Sequence, residues 1–153
     1  MSRLHSLLHL PPPLLQPFCN IALEAVRRAH PGMFSRMGRH EGAWFEIRPQ
    51  DAPVAFYLHA SGFSARLVVQ PVAKAPPFPP AATMTAPLAI LMALLSGSAD
   101  GDALFFGRDL HITGNMEAVL ALRNALDAAT INLHEDLTGL LGPLSILLPG
   151  TCP

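Results

Sequence analysis

Charge is what this chain has least of. Only 14% of its 153 residues are Asp, Glu, Lys or Arg, well under the usual quarter. Ten basic residues stand against eleven acidic ones, and the basic residues are scattered. With no basic stripe and no interleaved aromatics, nucleic acid is not an expected partner. Cysteine is nearly absent: Cys19 and Cys152 are too far apart in sequence to suggest a disulfide framework or a metal site, and are expected to be free thiols of a cytosolic protein. Long apolar runs are missing too. Residues 75–99 carry no charge, but Pro76, Pro77, Pro79, Pro80 and Pro87 interrupt them, and the unbroken run Leu88–Leu95 makes only two helical turns. A spanning helix needs about 20 apolar residues, so none is expected. The apolar start is equally short and is stopped by Pro11–Pro13, which argues against a cleaved signal peptide.

The motifs of local catalytic chemistry are also lacking. There is no G-x-S-x-G elbow and no glycine-rich phosphate loop. His5 and His9 share a helix face at i, i+4 spacing but have no third ligand near them in sequence. His111 alternates away from Leu110 and Ile112 and reads as solvent-exposed, and His134-Glu135-Asp136 reads as a polar cap after a helix. Cys19, beside Phe18 on the apolar side of a helix, reads as a small buried hydrophobe. Asp100, Asp102 and Asp109 fall in or beside a Gly/Ser-containing break. The chain is therefore expected to hold no metal or cofactor and to catalyse no reaction.

What it has in abundance is apolar surface: half its residues are hydrophobic. A single domain of this length buries a real core, and the excess implies greasy surface, a cavity or a membrane contact. Residues 14–29 form a helix with Leu14, Phe18, Ile21, Ala22, Ala25, Val26 and Ala29 on one face, Arg27 and Arg28 in the last turn and Pro31-Gly32 as the stop. Residues 33–37 suit one further turn. Strands are expected at 43–47, 54–59 and 65–70, joined through Asp51-Ala52-Pro53 and a hairpin at Ser61-Gly62, the simplest arrangement being an antiparallel meander. A proline-rich loop over 71–80 leads to a fourth strand at 82–85 and a helix over 87–96 with proline in its first turn. Arg27, Arg28, Arg36 and Arg39 form a modest basic cluster, either a solvated face or a contact for anionic lipid headgroups.

The densest pattern lies at 105–133. Leu110 and Ile112 alternate with Asp109, His111 and Thr113 as a half-buried strand does, Gly114-Asn115 makes a turn, and Asn115 caps a helix over 116–129 with Glu117 in its first turn. That helix is so poor in polar residues that it must be covered on most sides or line something apolar. Phe105-Phe106-Gly107, Leu110, Ile112, Gly114-Asn115-Met116, Leu120, Leu122, Asn124 and Leu126, in this order, resemble the strand-turn-helix of sterol carrier protein 2 type domains, where it borders a lipid tunnel. The resemblance runs from about Gly42 to Leu133. Within that superfamily, the Pro11–Phe18 and Ala22–Val26 segments and the Asp102–Leu110 run look most like the UbiT group of bacterial ubiquinone-biosynthesis accessory factors.

The resemblance implies an α+β fold: a small, mostly antiparallel, curved sheet of about five strands, packed with helices around an apolar tunnel. It divides the chain into a proline-ended arm at 1–13, a lipid-binding domain at 14–136 and an apolar tail at 137–153 that packs back, gates an opening or touches membrane. By helix and strand face, Leu88, Leu91, Leu95, Phe105, Phe106, Ile112, Met116, Val119, Leu120 and Leu126 are the expected tunnel residues. The implied ligand is a lipid or a prenylated quinone precursor. The implied partners are ubiquinone-biosynthesis hydroxylases of an oxygen-independent branch, and the implied setting is cytoplasmic, with transient contact at the inner membrane surface. A generic acyl-chain or sterol-like carrier, and an interaction domain that docks through its apolar tail, are the alternatives.

Overall fold

In a computed structural model of the chain, residues 6, 8–96 and 108–129 are described. Helix α1 spans Pro12–Ala29 and is followed by a 3₁₀ segment, Phe34–His40. Strands β1 (Trp44–Pro49), β2 (Val54–His59), β3 (Arg66–Pro71) and β4 (Ala82–Ala86) come next, then α2 (Leu88–Ser96), β5 (His111–Gly114) and α3 (Met116–Ala129). The five strands form one open sheet in the order β3-β2-β1-β4-β5. β1, β2 and β3 make the expected antiparallel meander. β4 does not extend it: the chain crosses back from β3 and lays β4 parallel to β1, with Phe45 beside Ala82 and Ile47 beside Met84. Ten residues lie between β3 and β4, more than the about two to five of a hairpin loop. Three of the four ladders are antiparallel, so the sheet is mixed and mostly antiparallel.

Alternation splits the sheet into two unlike faces. Phe45, Ile47, Phe56, Leu58, Leu67, Val69, Met84 and Ile112 point to one side and pack beneath the helices. The main core joins Phe45, Leu58 and Ala82 to Val26 of α1, Phe34 and Met37 of the 3₁₀ segment, and Ala118, Val119, Leu122 and Ala125 of α3. A second cluster joins Leu15 and Cys19 of α1 to Val54, Val69 and Leu88. Trp44, Glu46, Arg48, Tyr57, His59, Arg66 and Gln70 point the other way. On that side the crossover passes Trp44, and Phe78 stacks on the indole at 4.6 Å while His59 stacks on it at 4.8 Å. Arg66 lies 6.0 Å from the same ring.

The Gly-Asn turn works as its residue types require. Gly114 has φ +98°, and a Cβ there would meet the Ala81 carbonyl oxygen at 2.5 Å and the Ala82 Cα at 2.8 Å. Asn115 caps α3 by accepting from the Ala118 N–H at 3.2 Å, and its own N–H donates to Ala81 at 2.8 Å. α2 has Pro87 just before it, and the Leu88 N–H donates to the Asp51 carboxylate at 3.0 Å. The turn expected at 33–37 is a 3₁₀ segment kinked at Gly38 (φ +60°).

Helix α1 departs from its expected face. In its first half, Leu14 and Phe18 are each 55% exposed and Ile21 40%, and Leu15 and Cys19 are buried instead, whereas Ala25 and Val26 of the expected face are buried. Apolar residues wrap most of this helix, so periodicity alone did not fix its rotation. Gln16 fixes it: its side-chain amide donates to the Leu67 carbonyl at 2.6 Å, and its Oε1 accepts from the Val69 N–H at 3.0 Å. The amide occupies bonding positions on the open edge of β3, and that turns Leu15 and Cys19 toward the sheet.

Candidate functional site

Apolar residues of α2 and α3 join the core clusters on the helix-side face of the sheet. Val119 is 1% exposed in the main core, and Leu91, Ile112 and Leu126 pack half-buried around it. Leu88 joins the second cluster with Leu15, Val54 and Val69. Met116 and Leu120, one turn apart on α3, are 46% and 38% exposed. The structure thus gathers Leu88, Leu91, Ile112, Val119 and Leu126 onto one side of the sheet, with Met116 and Leu120 at its surface. The side chain of Leu95, together with Phe105, Phe106, the 1–5 part of the arm, the His134-Glu135-Asp136 cap, Cys152 and the apolar tail, lies outside the described residues.

A cleft of about 540 Å³ opens elsewhere, between α1 and the edge of β3. Gln16, Asn20, Glu24 and Arg27 wall it on one side, and Ala65, Arg66 and Leu67 are among the residues on the other. Among the described residues, none of the expected tunnel residues borders it. The carboxylate among its described lining residues is already engaged: Glu24 accepts from Arg27 at 2.9 and 3.0 Å and from Arg28 at 2.9 Å, which holds its pKa below the usual carboxylate value. Arg39 pairs with Glu117 of α3. Arg27, Arg28 and Arg39 are therefore held by carboxylates of the same chain, which favours the solvated-face reading of the basic cluster over headgroup binding.

Cys19 is 9% exposed, and burial pushes its thiol up to about 11. The thiolate fraction at neutral pH is correspondingly negligible, so the residue acts as a small hydrophobe. His111 is exposed on β5, as its alternation implied. Among the described residues no group of three His, Cys, Asp or Glu is placed to hold a metal ion, and no helix is long and apolar enough to cross a membrane.

Sequence reasoning missed a polar row on the far face of the sheet. Glu46, 3% exposed, pairs with Arg48. Tyr57 stands directly across from Glu46 and is fully buried. Its pKa is raised, first by burial and then by the Glu46 carboxylate. The alternation Trp44-Phe45-Glu46-Ile47-Arg48 reads as a strand with one solvated face, and nothing in that pattern signals that Glu46 is enclosed. The row lies across the sheet from the apolar helix layer, so it places no polar group among the expected tunnel residues.

The geometry has counterparts among known proteins. The model of the SCP-2 sterol transfer family matches residues 23–127. A solved UbiJ-SCP2 ubiquinone synthesis protein superposes with a TM-score of 0.58 at 16% identity, over 78% of this chain and 94% of that one. The solution structure of sterol carrier protein domain 2 from Helicoverpa armigera superposes with a TM-score of 0.52 at 20% identity, over 76% and 87% of the two chains. At these identities the likeness is one of fold. No curated protein matches the sequence.

Proposed function

Because the chain belongs to the SCP-2 sterol transfer family, we propose that it is a non-catalytic lipid-binding protein that serves ubiquinone biosynthesis. It holds or presents a prenylated quinone precursor or a membrane lipid to the hydroxylases of an oxygen-independent branch. The observation that carries this reading is the apolar helix pair, α2 with its unbroken Leu88–Leu95 run and α3, laid over the apolar face of the sheet. The fold shared with a ubiquinone synthesis protein supports the choice of ligand class. The lipid lies among Leu88, Leu91, Leu95, Phe105, Phe106, Ile112, Met116, Val119, Leu120 and Leu126. Enclosing ten methylenes of a prenyl or acyl chain contributes about 8 kcal/mol of transfer free energy, and an emptied apolar cavity costs about 24 cal/mol per Å³. The protein works in the cytoplasm and touches the inner membrane transiently.

Delipidated protein is the test. Its melting temperature rises by several degrees with a polyprenylated phenol and less with a fatty acid or a sterol. An equal rise with all three makes it a generic carrier, and no rise with any of them contradicts lipid binding. A second reading, an interaction domain, draws on the exposed stripe Leu14, Phe18 and Ile21 along α1. A lipid-free preparation with a cooperative melt favours it.

A further inference from the structure

One end of the sheet gathers the aromatic rings of its far face. β1 begins there with Trp44, β2 ends there with His59 and β3 begins there with Arg66. Trp44, half-buried, stacks on His59 and on Phe78, and Phe78 is 43% exposed. Beyond His59 the β2–β3 hairpin projects, and Phe63 at its tip is 94% exposed. The backbone of the tip is satisfied from within. Glu41 accepts from the Gly62 N–H at 3.3 Å, and the Ser61 hydroxyl accepts from the Phe63 and Ser64 N–H groups at 3.3 and 3.2 Å. His59 Nδ1 lies 3.1 Å from the Ser64 carbonyl oxygen, which ties the tip to the stack. The hairpin thus holds the Phe63 ring out in water, where it forgoes the burial open to an aromatic side chain.

Two cations flank these rings. Arg66 lies 6.0 Å from the Trp44 ring. Arg36 follows Ser35, which packs against Gly62 of the tip. Both arginines are exposed, and among the described residues neither meets a carboxylate, whereas Arg27, Arg28 and Arg39 do. Of the carboxylates at this end, Glu117 is paired with Arg39 and Glu41 accepts from Gly62. A projecting ring with aromatics behind it and free guanidiniums beside it fits a partner that is apolar within and anionic at its surface. A bilayer with anionic headgroups is both: aromatic rings settle at the boundary of headgroups and acyl chains, and guanidiniums meet the phosphates. A protein partner needs a complementary patch of about 800 Å². A convex tip bearing one ring offers little of that, whereas a fluid bilayer closes around it.

We propose that this end of the molecule docks on an anionic bilayer, with Phe63 inserted as the anchor and Arg36 and Arg66 on the headgroups. The proposal deepens the membrane contact put forward above and rests on it for the partner. Met116 stands at the same end, since the Asn115 N–H donates to Ala81 and the Ala81 N–H donates to Trp44. Docking therefore brings the exposed Met116 of the candidate lipid site near the bilayer.

The test is co-sedimentation of the full chain with vesicles of phosphatidylglycerol and phosphatidylcholine in equal parts, and with vesicles of phosphatidylcholine alone. Binding to the anionic vesicles is expected to be roughly tenfold tighter and to weaken with salt. Phe63→Ser weakens it about tenfold, and Arg36→Gln and Arg66→Gln about fivefold each. All three side chains are exposed, so the variants melt as the wild type does. Phe18→Ser, at an exposed ring of α1, leaves binding unchanged. Trp44 is the chain's only tryptophan, and brominated acyl chains quench it in the wild type but not in Phe63→Ser. Binding that survives Phe63→Ser, or falls equally with Phe18→Ser, overturns the proposal and leaves membrane contact to another surface. Equal binding to the two vesicles overturns it as well. No binding of the wild type to either overturns it together with the membrane contact, and leaves the patch to a protein partner.

Discussion

The side-chain amide of Gln16 lies 2.6 Å from the Leu67 carbonyl oxygen and closes the edge of the sheet as a neighbouring strand would. Open strand edges invite pairing with other chains, and here a helix side chain takes that place. Gln16→Leu removes the bonds to Leu67 and Val69 and leaves partly buried backbone groups unpaired, a cost of about 1–3 kcal/mol. Chemical denaturation will report that loss, and light scattering will report the exposed edge as concentration-dependent association. Gln16→Glu keeps an acceptor for Val69 but sets a carboxylate against the Leu67 carbonyl, so that variant regains stability on acidification.

Gly114 tests the turn. With φ +98° and the Ala81 carbonyl oxygen 2.5 Å from where a Cβ would stand, Gly114→Ala forces β5 away from β4. The expected loss is about 2–4 kcal/mol. Gly32, also at positive φ (+77°) but with nothing within 4 Å of a Cβ, is the control. Gly32→Ala meets only the backbone's own preference and costs about 1 kcal/mol. Equal melting shifts for the two would mean that β5 does not dock as described.

Cys19 makes stability depend on pH in the alkaline range. Its pKa is raised by burial from 9.0 to about 11, so the folded state holds the proton more tightly than the unfolded chain. The contribution is fully present below pH 9, falls as pH rises from 9 to 11, and amounts to roughly 2–3 kcal/mol. Cys19→Ala removes that slope although the smaller side chain lowers stability overall. Iodoacetamide should leave the Cys19 thiol unmodified at pH 7.5 in native Cys152→Ser protein and alkylate it after unfolding; rapid native alkylation would contradict its burial.

Leu120 tests the helix side. It is 38% exposed on α3, so Leu120→Trp meets no closed core and should leave the melt and circular dichroism spectrum within error of wild type. If the lipid site runs past this position, the added indole cuts lipid uptake at least severalfold. Normal uptake by the folded variant removes Leu120 from the site.

Local rules were enough for the elements that rest on local chemistry. The period-2 run at Leu110–Thr113, the Gly114 turn and the Asn115 cap each follow from one residue type in one place, and each stands where the sequence set it. The parallel placement of β4 beside β1 was not legible, because strand order is decided by what the helices and the crossover must cover, which no strand's own pattern encodes. The rotation of α1 depended on Gln16 reaching a strand 51 residues away. The enclosed polar row at Glu46 and Tyr57 was hidden for the same reason: alternation names a face but not what lies over it. At the candidate lipid site, Leu91, Ile112, Val119 and Leu126 belong to or pack against one core cluster, and the exposure of Met116 and Leu120 emerged only in three dimensions.

Organic extraction of gently purified protein, followed by mass spectrometry of what co-elutes, tests lipid binding most directly. A near-stoichiometric prenylated phenol, quinone or phospholipid is the expected result. Protein that yields no lipid and still melts cooperatively would contradict it.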